Sequence, residues 1–414
     1  MGPITLFDKS FLQSLSLNEA VWFDNFFLSI VCPLFYVETL ADLSKAVREG
    51  RTQEQEVGLI ANKFPEMHGT PSAYHAEMCI GNLMGQPIPM EGRIVVPEAR
   101  VVRHGDRTGV LIDAGKELQA FHRWQKREFL EVERLFASEW RQQISGLDLE
   151  TLTRRLVNLG IGTKRCKDLQ EARLVSEEVV RNPENGIQKL QLLSLALDIP
   201  YPLRAQIIHR WLVSGRPPLD EYAPYAAYML TVEVFFYLGL EGSLISPDRA
   251  SNRVDICYLF YLPFSMVFTS NDNLHRRCAT LFLREDQEFV WGNDLKVALA
   301  HLDEHYKSLP NPTKDRGIYS FAASPPEDGL SLVTQLWDRH LLPVWRKHSK
   351  ELRPKTDLGP NFIDEIKQLT EAPTLPADQL NFDSDSADTM IVERKVHKKR
   401  GDWYQLPKDL EIKD

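Results

Sequence analysis

Two short apolar runs that each close on an aspartate, ITLFD at 4–8 and MVFTSND at 266–272, constrain the fold of this chain more than any other feature. In the first, Ile4, Leu6 and Phe7 precede a polar turn and then Phe11, Leu12 and Leu15, the pattern of a strand running into a helix. In the second, Pro263 marks the passage into a buried strand that ends at a polar turn holding Asp272. Strand-to-helix switches of this kind build an open α/β sheet, where the residues just beyond the carboxyl ends of the strands meet on one edge. The chain between the two runs is far longer than an ordinary αβ connection. We therefore expect one α/β core with a mainly parallel sheet, divided by insertions.

Other segments fit this plan. CPLFYVETLADLSKAV starts extended and turns helical, which puts Glu38 near a helix start. DEYAPYAAYMLTVEVFFYLGL reads as a nearly continuous apolar helix of the kind that packs on a sheet. SNRVDICYLFYLPF follows, with Ser251 and Asn252 as expected helix caps ahead of Asp255. The expected organisation is a first core segment over 1–48, a small β-containing insert over 49–115 and a helical insert over 116–215. A second core segment over 216–310, a helical extension over 311–352 and a flexible tail over 353–414 complete it. The tail mixes NFDSDSAD with RKVHKKR, which suits disorder or late docking on a partner.

Composition narrows the function classes. A formal charge of −9 over 414 residues argues against a protein that coats nucleic acid with its whole surface, but leaves room for a local basic groove. Hydrophobic residues at 43% and charged residues at 26% are ordinary for a folded globular chain. Cys32, Cys79, Cys166, Cys257 and Cys278 form no CxxC pair, which favours reduced thiols in the cytoplasm and gives no zinc signature. The opening MGPITLFDKSFL has no basic region followed by an apolar one, so no secretion signal is expected. The most apolar stretch, Tyr225 to Leu240, is interrupted by Glu233 and falls short of the roughly 20 residues that cross a bilayer, so no membrane association is expected.

The chemistry-bearing residues are acids at element junctions: Asp8, Glu38, Asp255 and Asp272. Carboxylates without His or Cys suit hard divalent cations such as magnesium or manganese. Such ions can orient a hydroxide toward phosphorus and stabilise the departing oxygen.

At these positions the chain resembles the PIN-domain nucleases. FDKSFL is similar to the first PIN motif, an Asp closing strand one with a small polar residue two positions on; here these are Asp8 and Ser10. YVETLADL resembles the second motif through Glu38, and VDICYLFYLPF followed by VFTSNDNLHRR resembles the paired late motifs. The resemblance implies a PIN-like three-layer core, with Asp8, Glu38, Asp255 and Asp272 as catalytic metal ligands and Ser10 and Ser270 in supporting turn positions. It also implies hydrolysis of phosphodiester bonds, in single-stranded RNA rather than DNA.

Each residue also has a plain structural reading. Asp8 suits a helix N-cap, and Asp272 an Asx-turn. Glu38 suits a first-turn acid, and Asp42, one turn later, competes with it for the ligand role. Asp255 could pair with Arg253. His275, Arg276 and Arg277 either face phosphate near the metal or form the polar face of a helix. The basic runs KRCK at 164–167 and RKVHKKR at 394–400 either steer RNA or are solvated surface. Arg204 and His209 form an R-x4-H pair similar to that of HEPN ribonucleases, which need no metal. A further alternative is a non-catalytic scaffold that binds a protein partner through the inserts or the tail.

Overall fold

A computed structural model describes residues 2–45, 50–97, 99–104, 107–112, 115–149, 165–327, 329, 331–346, 368, 370–375 and 389–410. Its centre is a five-stranded parallel sheet in the order β3-β2-β1-β6-β7. The strands are β1 (Ile4–Phe7), β2 (Leu28–Val31), β3 (Gly69–Pro71), β6 (Val267–Ser270) and β7 (Glu288–Trp291). β1 lies in the middle, with Leu6 beside Ile30 of β2 on one side and Phe268 of β6 on the other. The chain leaves β1 toward β2 and β3, then returns after the long insertion to lay β6 and β7 on the opposite flank. This reversal of strand order between β1 and β6 opens a crevice at their carboxyl ends, where ligands bind in open α/β sheets. Phe7 pairs with Thr269 in register, so Asp8 and Ser270 leave the sheet side by side.

The register is fixed by burial. Leu6, Phe7, Ile30, Val267 and Phe268 are all buried, as strands covered on both faces require. α1 (Lys9–Ser14) and α2 (Leu17–Phe26) follow β1 directly, each started by a side-chain cap, Asp8 and Ser16. α2 contributes Trp22, Phe23 and Phe26 to the core and packs against the helix Gly292–Lys307. α3 (Pro33–Leu40) starts at Pro33, whose fixed φ and missing N–H suit a first helical position. Glu38 therefore sits in the second turn of α3 and not near its start.

The stretch 49–115 is more helical than expected and reaches into the core. It holds α4 (Gln53–Ala61) and α5 (His75–Leu83), and its β3 forms an edge of the central sheet, so the core runs past residue 48. A second sheet pairs β4 (Arg100–His104) with β5 (Arg107–Ile112), and β5 with β8 (Thr389–Val392). The following stretch is helical: α6 (Lys116–Gln125), α7 (Glu131–Ser145) and the helices Leu169–Arg181, Gly186–Ala196 and Tyr201–Val213. The apolar helix Pro224–Glu241 is buried along most of its length and packs on the helix Leu169–Arg181 and on α5. In the extension, the helix stops at His340, and residues 347–352 lie outside the described residues.

The expected flexible tail is corrected over its described end. β9 (Lys399–Arg400) and β10 (Trp403–Tyr404) form a hairpin docked on α2. Trp403 is buried, its ring 4.7 Å from that of Trp22, and its Nε1–H donates to Asp303 Oδ1 at 2.7 Å. An aromatic side chain of that size, once its N–H has a partner, anchors a strand that has little other apolar surface. Among the described residues, no helix is long and apolar enough to cross a membrane.

Candidate active site

The crevice between β1 and β6 collects the acids. Asp8 caps α1, its Oδ1 accepting from the Phe11 N–H at 2.9 Å. Its Oδ2 accepts from Ser10 Oγ at 2.6 Å and from Ser270 Oγ at 2.9 Å. The capping reading of Asp8 is thus realised, and both supporting serines touch the same carboxylate. Asp272 caps the helix Asn273–Cys278 through Oδ1, which accepts from the Leu274 N–H at 2.6 Å. Its second oxygen takes no hydrogen bond among the described residues.

His275 is not a phosphate-facing residue. It is fully buried, with Nδ1 2.8 Å from Ser270 Oγ and 3.5 Å from Asp8 Oδ2. Nε2 lies 2.7 Å from the Asp255 backbone carbonyl, which can only accept, so Nε2 carries a proton. Burial works against the charged ring, but the hydrogen bond and charge of Asp8 outweigh it and raise the pKa to about 9. The imidazolium ties the β1 turn to the segment carrying Asp255. In return, despite its burial, Asp8 is held below the ordinary carboxylate range by His275, Ser10 and the Phe11 amide.

Glu38 reaches the crevice from α3 and accepts from the Tyr258 hydroxyl. Burial pushes its pKa up, Lys9 and Tyr258 pull it down, and Asp8 adds to the rise. Asp42, its competitor, is engaged elsewhere: Lys9 Nζ donates to both its oxygens at 3.1 and 3.2 Å, with Arg141 at 4.0 Å. Asp255 lies in the first turn of the helix Asn252–Cys257, whose N-cap Ser251 makes no side-chain capping bond. Asn252 instead donates to the Ser246 carbonyl. Arg253 does not pair with Asp255 but with Glu233. Among the described residues the Asp255 carboxylate accepts no hydrogen bond and joins no ion pair, and burial with the charges of Glu38, Asp272 and Asp8 outweighs the opposing charge of His275 and raises its pKa to about 7. Asp255 thus lies within electrostatic reach of the other three acids.

The donor set is all oxygen, but no three of these carboxylates come within 4.8 Å of one another. The Asp255 carboxylate, half-buried and without a donor among the described residues, is the feature a cation would satisfy.

The neighbouring basic residues do other work. Arg276 stacks over Trp291 at 5.2 Å, and Arg277 donates to the Leu244 carbonyl at 3.0 Å; both are exposed. In the run 394–400, Arg394 donates to the Gly69 carbonyl, His397 to Glu66 and the buried Arg400 to Asp24 at 3.1 Å, so these three tie the tail to the core. Of the run 164–167, Lys164 lies outside the described residues, Cys166 is buried, and Arg165 and Lys167 are exposed. Arg204 donates to the Ile199 carbonyl, while His209 is exposed on the same helix. Tyr258 was not singled out from the sequence, since a tyrosine in an apolar helix looks like core. Comparison with protein families, with characterised proteins and with solved structures gives no match.

Proposed function

We propose that this chain is a metal-dependent endonuclease with a PIN-like core, interrupted by the long insertion, that hydrolyses phosphodiester bonds of single-stranded RNA. The reading rests above all on Asp255, a half-buried carboxylate that among the described residues has no hydrogen-bond or ion-pair partner and lies within electrostatic reach of three other acids at the strand-order reversal. With no donor beside it among the described residues, the Asp255 carboxylate is open to a cation. Asp8, Glu38, Asp255 and Asp272 would hold magnesium or manganese. The ion would supply a nucleophilic hydroxide and neutralise charge on the phosphate. His275, Ser10 and Ser270 fix the orientation of Asp8, and Tyr258 fixes that of Glu38. RNA as the substrate and the cytoplasm as the setting come from the sequence resemblance and from the cysteines, all five free and buried.

The test is cleavage of labelled single-stranded RNA and DNA with magnesium or manganese and then EDTA, comparing wild type with Asp8→Asn, Asp255→Asn and His209→Ala. Cleavage of RNA that EDTA and both Asp changes abolish supports the proposal. Activity indifferent to EDTA and lost only in His209→Ala would transfer the chemistry to the R-x4-H pair. No cleavage of either polymer under any condition favours the scaffold.

A further inference from the structure

A second cluster, apart from the crevice, has a different donor chemistry. One carboxylate oxygen of Glu66, one ring nitrogen of His122 and one of His397 all lie within 4.8 Å of one another, the only such group of three among the described residues. The three come from distant parts of the chain: the turn before β3, α6, and the tail between β8 and β9. Two imidazoles and a carboxylate are the ligands of borderline transition metals, and of zinc in particular.

The surroundings orient each group. His122 Nε2 lies 2.9 Å from the Lys395 carbonyl and so carries the proton, which leaves the lone pair on Nδ1. Gln125, one turn along α6 from His122, donates to Glu66 Oε1 at 2.7 Å, while Gln405 and the His397 N–H donate to Oε2 at 3.3 and 3.0 Å. His397 Nδ1 and Glu66 Oε1 are 2.8 Å apart and share one proton. Two such donors on one zinc ion stand about 3.3 Å apart, so exchanging that proton for the metal takes a shift of about half an ångström. His122, but neither Glu66 nor His397, lines an adjoining groove of about 390 Å³ together with Arg123, Lys126, Arg394 and Lys395.

We infer that Glu66, His122 and His397 form a zinc site that staples the C-terminal segment to the core. The site draws one ligand from the tail and two from the core, so binding there adds to folding of the tail.

The probe is cobalt(II), titrated into untagged full-length protein, followed by zinc. Wild type should develop the visible ligand-field band of a nitrogen-ligated four-coordinate cobalt ion at one equivalent, and zinc should remove it. His122→Gln and His397→Gln should weaken binding by more than about 100-fold, beyond what loss of an outer hydrogen-bond partner gives. Asp255→Asn, in the crevice, should leave the band unchanged. In wild type alone, zinc should protect His122 and His397 from diethylpyrocarbonate and protect the chain after residue 392 from limited proteolysis. A wild type with no band and equal histidine modification with and without zinc overturns the inference. So does a band that survives both histidine changes.

Discussion

Two acids in this chain, the buried Asp24 and the half-buried Asp255, are treated in opposite ways. Asp24, fully buried, accepts from the backbone N–H groups of Glu66 at 2.8 Å, Met67 at 3.0 Å and His68 at 2.8 Å, and pairs with Arg400 at 3.1 Å. Asp255 lies beside three other acids with no donor among the described residues. Asp24, bound to three amides and an arginine, is a structural joint that ties α2, the turn before β3 and the tail together. A half-buried carboxylate without a donor is held in its charged form at a cost, which a bound cation would offset.

The contrast breaks first at Asp24. Asp24→Ala removes the carboxylate paired with the buried Arg400 and leaves three amides without their acceptor, and should lower stability by about 3–5 kcal/mol, read by chemical denaturation. A neutral result would erase the distinction. His275 comes next, because it belongs to the crevice yet is fully satisfied. Its folded pKa, raised to about 9 from 6.5, means that its contribution is full below pH 6.5 and is lost as pH rises through about 9. The difference in stability between wild type and His275→Gln should therefore shrink by about 2–3 kcal/mol between pH 6 and pH 10.

Asp255 should behave in the opposite sense. Its folded pKa is raised to about 7 from 3.8, so its protonated form is the one the fold prefers, and stability falls as pH rises toward 7. Without added metal, Asp255→Asn should be more stable than wild type at pH 8 by about 1–2 kcal/mol, a fraction of the roughly 4 that such a shift carries. The gain should vanish below pH 4. Destabilisation at pH 8 would mean that Asp255 has a protein partner after all. The smallest change belongs to Asp272→Asn, since Asn caps a helix as well as Asp does: stability should stay within about 0.5 kcal/mol while manganese affinity falls.

The same contrast explains which parts were legible in the sequence. Asp8 and Asp272 stand at strand ends bounded by apolar runs, and those local patterns carry both the α/β class and the crevice position. β3 escaped notice because its three residues, Gly69, Thr70 and Pro71, carry no strand alternation; their place comes from pairing with β2. His275 reads as surface beside Arg276 and Arg277, and only its helix's position against β6 and Asp255 turns the ring inward. The tail looks solvated because its buried groups, Arg400 and Trp403, are spaced by polar residues, and their partners Asp24, Trp22 and Asp303 lie 100 or more positions away. Joints made across such distances leave no local pattern, whereas the acids of the crevice each sit in one.

The central claim is that the crevice acids hold a divalent cation together. Manganese binding measured by calorimetry, with thermal unfolding, in protein carrying His122→Gln and His397→Gln so that only the crevice reports, tests it most directly. We predict that manganese binds and raises the melting temperature, and that adding Asp255→Asn abolishes both effects while raising the metal-free melting temperature. Equal manganese binding with and without Asp255→Asn, or none in either protein, would contradict it.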